Sequence, residues 1–188
     1  MEEALSLELG ASWMPTQSRE RTTFEDLYVT YFAKVYNYVC YRVSDINAAE
    51  DITAEVFERA LKSFHTYRPD RAAFSTWIFR IAHNLVANYY RDRSRKPSLS
   101  PLDAGAPVVD EARTPEQAAI AAEQRRVLQE KIQALPDKQQ EVLALKFGGE
   151  LRYEEIAEAM RIKPNYVGVL LHRAVRALRL ALEEEAVI

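Results

Sequence analysis

The chain has 188 residues, enough for one medium domain or two small ones, and its five glycines among abundant Ala, Leu, Glu and Arg point to helix rather than sheet. A formal charge of -3 excludes a uniformly basic nucleic-acid coat, so any such binding must come from local patches. A single cysteine, Cys40, excludes an internal disulfide and a cysteine-cluster zinc site, and suits a reducing compartment.

The opening MEEALSLELG is acidic where a signal peptide is basic, and no apolar run approaches the roughly twenty residues of a membrane span. A cytoplasmic protein with no membrane insertion of its own is expected. Residues 1–22 show no sustained period and read as a poorly ordered extension. From Phe24 a helical stripe begins: Phe24, Leu27, Tyr28, Tyr31, Phe32, Val35, Tyr36 and Val39, with Thr22 or Thr23 as cap. Cys40, on this apolar background, reads as a small core residue. Ser44 and Asp45 open a second helix with Ile52, Val56, Phe57, Ala60, Leu61 and Phe64 inward. Its outer face, Asp45, Glu50, Asp51, Glu55 and Glu58, repels phosphate and suits either solvent or a basic protein partner.

Pro69 then breaks the helix and leaves Tyr67, Arg68, Asp70 and Arg71 on a loop. The segment from Phe74 to Lys96 is helical, with Phe74, Trp77, Ile78, Ile81, Ala82, Leu85, Val86 and Tyr89 as its core face. The opposite face carries Arg80, His83, Asn84, Asn88 and Arg91, and the helix runs out into Arg93, Arg95 and Lys96. Charge interleaved with aromatic rings serves single-stranded nucleic acid, and an ordinary amphipathic helix with a solvated basic end has the same pattern.

Between about Ser94 and Arg113 periodicity disappears among Pro97, Pro101 and Pro107, which marks a polar linker and the domain boundary. About twenty residues span at most roughly 70 Å, or about two turns of B-DNA. Thr114, Pro115 and Gln117 then cap a helix carrying Leu128 and Ile132. Asp137 with Gln140 caps the next, which carries Val142, Leu143 and Phe147 and stops at Gly148-Gly149. A short helix from Tyr153 to Met160, the turn Arg161-Ile162-Lys163 and a last helix from Pro164 form the outline of a helix-turn-helix. Its inward residues are Val167, Leu170, Leu171, Ala174, Val175 and Leu178. Five Lys or Arg residues and no acid lie between Arg161 and Leu180.

DINAAEDITAEVFERALKSF, FSTWIFRIAHNLVANYYRDR, LPDKQQEVLALKFGGELRYEEIAEAM and VGVLLHRAVRALR, in this order, resemble the extracytoplasmic-function (ECF) group of bacterial RNA polymerase sigma factors. The resemblance covers roughly residues 24–95 and 120–183. It implies an all-α chain of two small domains: 23–95 as sigma region 2, 96–113 as linker and 114–188 as region 4. The implied partners are core RNA polymerase, through its clamp helices and flap, promoter DNA both double- and single-stranded, and an anti-sigma factor.

On these residues the resemblance places core-polymerase contacts at Asp45, Asp51, Glu55, Phe57, Leu143 and Phe147. Minus-ten contacts fall at Tyr67, Arg68, Asp70, Phe74, Arg80, His83, Asn84, Asn88, Arg91 and Arg93, the loop before the long helix capturing a flipped base and Trp77 being partly structural. Minus-thirty-five contacts fall at Lys163, Asn165, Tyr166, His172, Arg173 and Arg176. Asp103, Asp110 and Glu111 of the linker would mimic nucleic-acid charge near the polymerase active centre. The chain departs from the family where Tyr166-Val167-Gly168-Val169-Leu170 replaces Thr-Val-Lys-Ser-Arg, and where Arg152 replaces a Ser or Thr cap. No catalytic residue, cofactor or metal is expected: the chain has no phosphate-cradling glycine loop and no HExxH, and His65, His83 and His172 lack the spacing of a metal site. A stand-alone helix-turn-helix regulator and a helical protein-interaction adaptor are the alternatives.

Overall fold

A computed structural model describes residues 23–93 and 114–185; the expectations for the N-terminal extension and for the linker residues Asp103, Asp110 and Glu111 lie outside them. Seven α-helices are present and no strand among the described residues: α1 Phe24–Arg42, α2 Ile46–Ser63, α3 Phe74–Arg93, α4 Pro115–Gln133, α5 Asp137–Leu143, α6 Tyr153–Met160 and α7 Pro164–Glu185.

Local chemistry sets most boundaries. Thr23 caps α1, its hydroxyl accepting from the Asp26 N–H while the Asp26 carboxylate accepts from the Thr23 N–H at 2.9 Å. Asp45 caps α2 by accepting from the Asn47 and Ala48 N–H groups. Thr114 and Gln117 form a second reciprocal cap with Pro115 at the first helical position. At Arg152 no hydroxyl is available, yet Glu155 still reaches back to the Arg152 N–H at 2.9 Å. That bond recovers half of a capping box.

Asp137 and Gln140 depart from the expected cap. Pro136 precedes α5 with no side-chain cap, and both polar side chains turn to Arg42 of α1 instead: Asp137 Oδ1 lies 2.5 Å and Gln140 Oε1 3.0 Å from its guanidinium. A buried guanidinium needs acceptors more than an exposed helix end does. After α5 the chain widens into a π-helical turn, Ala144–Gly148.

α1, α2 and α3 pack around Val39, Ile52, Val56, Ile78, Ala82 and Val86, while α4 to α7 pack around Val142, Leu145, Ile156, Val167 and Leu170. The two groups share one continuous core, with the π-helical turn lying along α1 and α6 against α3. This contact accounts for the residues buried off the sequence stripes. Tyr28 and Phe32, expected inside, are 41% and 40% exposed, whereas Tyr38, Arg42, Ser75, Thr76 and Phe79, off the expected stripes, are buried. Leu61, also expected inside, is 59% exposed. No helix of the described residues is long and apolar enough to cross a membrane.

Candidate nucleic-acid and polymerase interface

The second half presents its expected surface without obstruction. α6 ends at Arg161, held in the left-handed conformation (φ 55), and the Ile162 N–H closes the turn on the Ala157 carbonyl at 2.9 Å. α7 begins three residues later. This short reversal holds the α7 N-terminus away from the body, and Lys163, Asn165, Tyr166, His172, Arg173 and Arg176 are all exposed. The inward residues Val167, Leu170, Leu171 and Ala174 anchor the helix from behind. Leu170, one of the departures from the family pattern, therefore belongs to the core with Val167, and Tyr166, another departure, stays on the surface.

The loop before α3 is built on rings. Phe64, Tyr67, Phe74 and Trp77 form one cluster, with Tyr67 and Trp77 centroids 5.2 Å apart and Tyr67 edge-on to Phe74 at 5.5 Å. The Tyr67 hydroxyl donates to the Ala72 carbonyl, and the Arg71 and Ala72 N–H groups bond to the Arg68 carbonyl, which closes the loop. Arg68 and Asp70 are exposed at its tip, whereas Phe74 is buried beneath it. Tyr67 and Trp77 are half-buried, and Phe74 packs against both from below.

Along α3 the expected residues divide into two groups. Asn84, Arg91 and Arg93 are exposed and Asn88 is half-buried; Arg93 donates to the Tyr89 hydroxyl and Arg91 to Asn88 Oδ1. Arg80 and His83 instead face the second half. Arg80 donates to the Glu158 carbonyl at 3.1 Å and lies 3.5 Å from its carboxylate. Beside it the Thr76 hydroxyl donates to Glu158 at 3.3 Å and the Ser75 hydroxyl donates to Glu155.

His83 Nδ1 lies 2.9 Å from Glu141, a carboxylate buried to 2% exposure that also accepts from the Tyr38 hydroxyl at 2.8 Å. Arg42 Nε approaches the other Glu141 oxygen to 3.1 Å, but its N–H is not aimed at it, so the pair attracts as charges without a hydrogen bond. The hydrogen bond to Glu141 raises the His83 pKa above its ordinary value against the cost of burial. Burial, reinforced by the Glu141 charge, pushes the Tyr38 hydroxyl well above its usual range. Burial opposes the Arg42 charge, and Glu141 and Asp137 outweigh it.

Sequence reasoning missed this cluster. One signal was present: Arg42 falls seven residues after Val35 on the buried side of α1, where a cation demands a partner.

The expected polymerase contacts are mixed. Asp51 is exposed and Glu55 pairs with Arg59 at 2.5 Å, so α2 does carry an acidic face, while Asp45 is engaged as a cap. Phe57 is buried under Tyr28, and the nearby apolar surface is supplied by Val29, 79% exposed, and Leu61. In the second half Leu143 is buried and Phe147 stands out at 55% exposure. Both line an open apolar groove of about 580 Å³ with Tyr41, Leu128, Val175 and Leu178.

Comparison with known proteins agrees with this division. Residues 27–96 match Sigma-70 region 2 and residues 125–178 match Sigma-70 region 4. The ECF RNA polymerase sigma factor SigW of Bacillus subtilis is 35% identical over 88% of this chain and 91% of the relative. The ECF RNA polymerase sigma factor BldN of Streptomyces coelicolor is 32% identical over 90% of this chain and 64% of the relative. Among solved structures, the sigma factor RpoE in complex with the anti-sigma factor NepR from Bartonella quintana shares the fold at a TM-score of 0.69, with 15% identity, 86% of this chain and 98% of that one covered.

Proposed function

This chain belongs to the ECF group of RNA polymerase sigma factors, and from that premise we propose that it binds core RNA polymerase and directs initiation by reading two promoter elements. It is a specificity subunit, and the chemistry of transcription stays with the polymerase. The observation that carries the reading is the α7 face: six side chains able to contact phosphates or bases, all exposed, on the second helix of a helix-turn-helix. Arg173 and Arg176 supply charge, while Asn165 and Tyr166 at the helix start reach base edges in the minus-thirty-five element.

The first half takes the minus-ten element. Tyr67 and Trp77 offer a stacking surface for an extruded base, Arg68 and Asp70 rim it, and Arg80, His83, Asn84, Asn88, Arg91 and Arg93 track the melted strand along α3. Asp51 and Glu55 of α2, with Val29 and Leu61, dock the polymerase clamp helices. Phe147 and its groove receive the flap. The likeness to relatives and to a sigma factor solved with an anti-sigma factor supports control of this chain by such an inhibitor as well.

The test is run-off transcription from a genomic promoter library with purified core polymerase, with and without the protein. New start sites sharing two upstream elements about two helical turns apart are expected. Binding to duplex DNA without any protein-dependent transcript would instead identify a stand-alone regulator.

A further inference from the structure

The exposed face of α7 has an apolar centre. Asn165, Tyr166, His172 and Arg173 each lie three or four residues from Val169, so they surround it on one side of the helix. Between Tyr166 and His172 the chain reads Val167-Gly168-Val169-Leu170-Leu171, without one side chain able to hydrogen-bond. Val167, Leu170 and Leu171 bury their apolar surface in the core, whereas Val169 is 41% exposed among polar and charged neighbours.

Gly168 beside it has no explanation inside the fold. It lies in the second turn of a 22-residue helix, where glycine is less favourable than alanine. Its backbone is not left-handed, and a Cβ there would meet the Tyr153 ring at 3.8 Å, an ordinary contact distance. The packing of the chain would therefore accept alanine. A glycine that its own fold does not require permits close approach of something from outside.

The N-terminal part of a recognition helix is the part that enters the major groove. Every group that base pairs present there is a hydrogen-bond donor or acceptor, except the C5-methyl of thymine. An isopropyl group beside bare backbone is matched to that methyl and to none of the polar edges. Gly168 and Val169 also stand where the family pattern carries Lys and Ser, so this chain loses two hydrogen-bonding groups at the centre of the face and gains an apolar one.

We propose that Val169, beside the open backbone at Gly168, seats the C5-methyl of a thymine in the minus-thirty-five element and is a specificity residue of this chain. The inference rests on the sigma-factor reading above and names one base that it reads.

Deoxyuridine lacks only that methyl and keeps the O4 acceptor and the pairing edge. Run-off templates are made in which each thymine of the upstream element, on either strand, is replaced singly by deoxyuridine, and are transcribed by core polymerase with subsaturating full-length chain. Wild type should lose roughly threefold to fivefold at one position or two adjacent ones, as removal of one buried methyl does. Val169→Ala should lower the all-thymine transcript by a similar factor and lose nothing further with deoxyuridine at that position. Gly168→Ala should leave the melting temperature unchanged or raised and still lower the all-thymine transcript severalfold.

The inference is overturned if no thymine of the element responds. It is overturned too if Val169→Ala responds to deoxyuridine as strongly as wild type, which would give Val169 to a protein partner instead. Full transcription by Gly168→Ala overturns the close approach of DNA to the backbone. A transcript that needs the upstream element yet ignores the methyl leaves the sigma reading standing without this inference; no protein-dependent transcript from any template removes both.

Discussion

The two proposed DNA-reading faces differ in what covers them. On α7 every candidate residue meets solvent and no acid intervenes, whereas on α3 Arg80 and His83 are held by Glu158 and Glu141 while Asn84, Arg91 and Arg93 are exposed to solvent. The difference lies in tertiary placement, since both helices carry cations on an outward face. A helix that begins a new direction after a tight turn keeps its face free; one that forms the floor of a neighbouring domain does not.

The largest expected effect tests whether the α3 face is covered in solution. Phe79 is fully buried, and the position of a Gly149 Cβ lies 2.8 Å from its ring. Phe79→Ala should therefore cost about 3–5 kcal/mol in urea unfolding; a loss under about 1 kcal/mol would mean that the residue faces water and the halves are apart. On the uncovered side, Arg173→Ala should reduce run-off transcription roughly tenfold to a hundredfold, as removal of a base or phosphate contact worth about 1–3 kcal/mol does. Circular dichroism should be unchanged, and an undiminished transcript level would remove α7 from the interface.

A smaller effect comes from pH. His83 meets the Glu141 carboxylate, with Arg42 and Asp137 close by and the Tyr38 hydroxyl on the same oxygen. Because its pKa is raised where the two halves pack, the stabilisation of that packing is fully present below the ordinary histidine value near 6.5 and is lost as pH rises through the raised value. Small-angle scattering should show a more extended free chain at pH 8 than at pH 6, and His83→Gln should flatten the difference. The smallest effect belongs to Lys62, whose partner Glu58 lies one turn away on the exposed side of α2. Lys62→Ala should leave the urea-unfolding midpoint unchanged, because a solvent-exposed pair of this kind is screened.

What was legible in the sequence was local. Thr23, Asp45 and Thr114 act as caps because a short oxygen side chain before an apolar period has one inexpensive partner, the next turn's N–H groups. The helix-turn-helix was legible for the same reason, since Pro164 and the Arg161 turn act within a few residues. The α3–α6 and α1–π-turn contacts were not. Tyr38 and Glu141 are 103 residues apart, and Ser75 and Glu155 80, so no periodicity links them. Asp137 and Gln140 had the spacing of a cap, and only a buried Arg42 on another helix explains why they serve it instead. Phe57, Phe74 and Leu143 show the same limit within the site, because family position names a residue without saying how much of it the core leaves outside.

The central claim is that one chain reads two separated elements. The most direct measurement is run-off transcription with core polymerase from a template bearing both elements, against templates in which either one is scrambled. The account predicts that scrambling either element abolishes most of the transcript. A transcript that survives loss of the upstream element at full strength would contradict it.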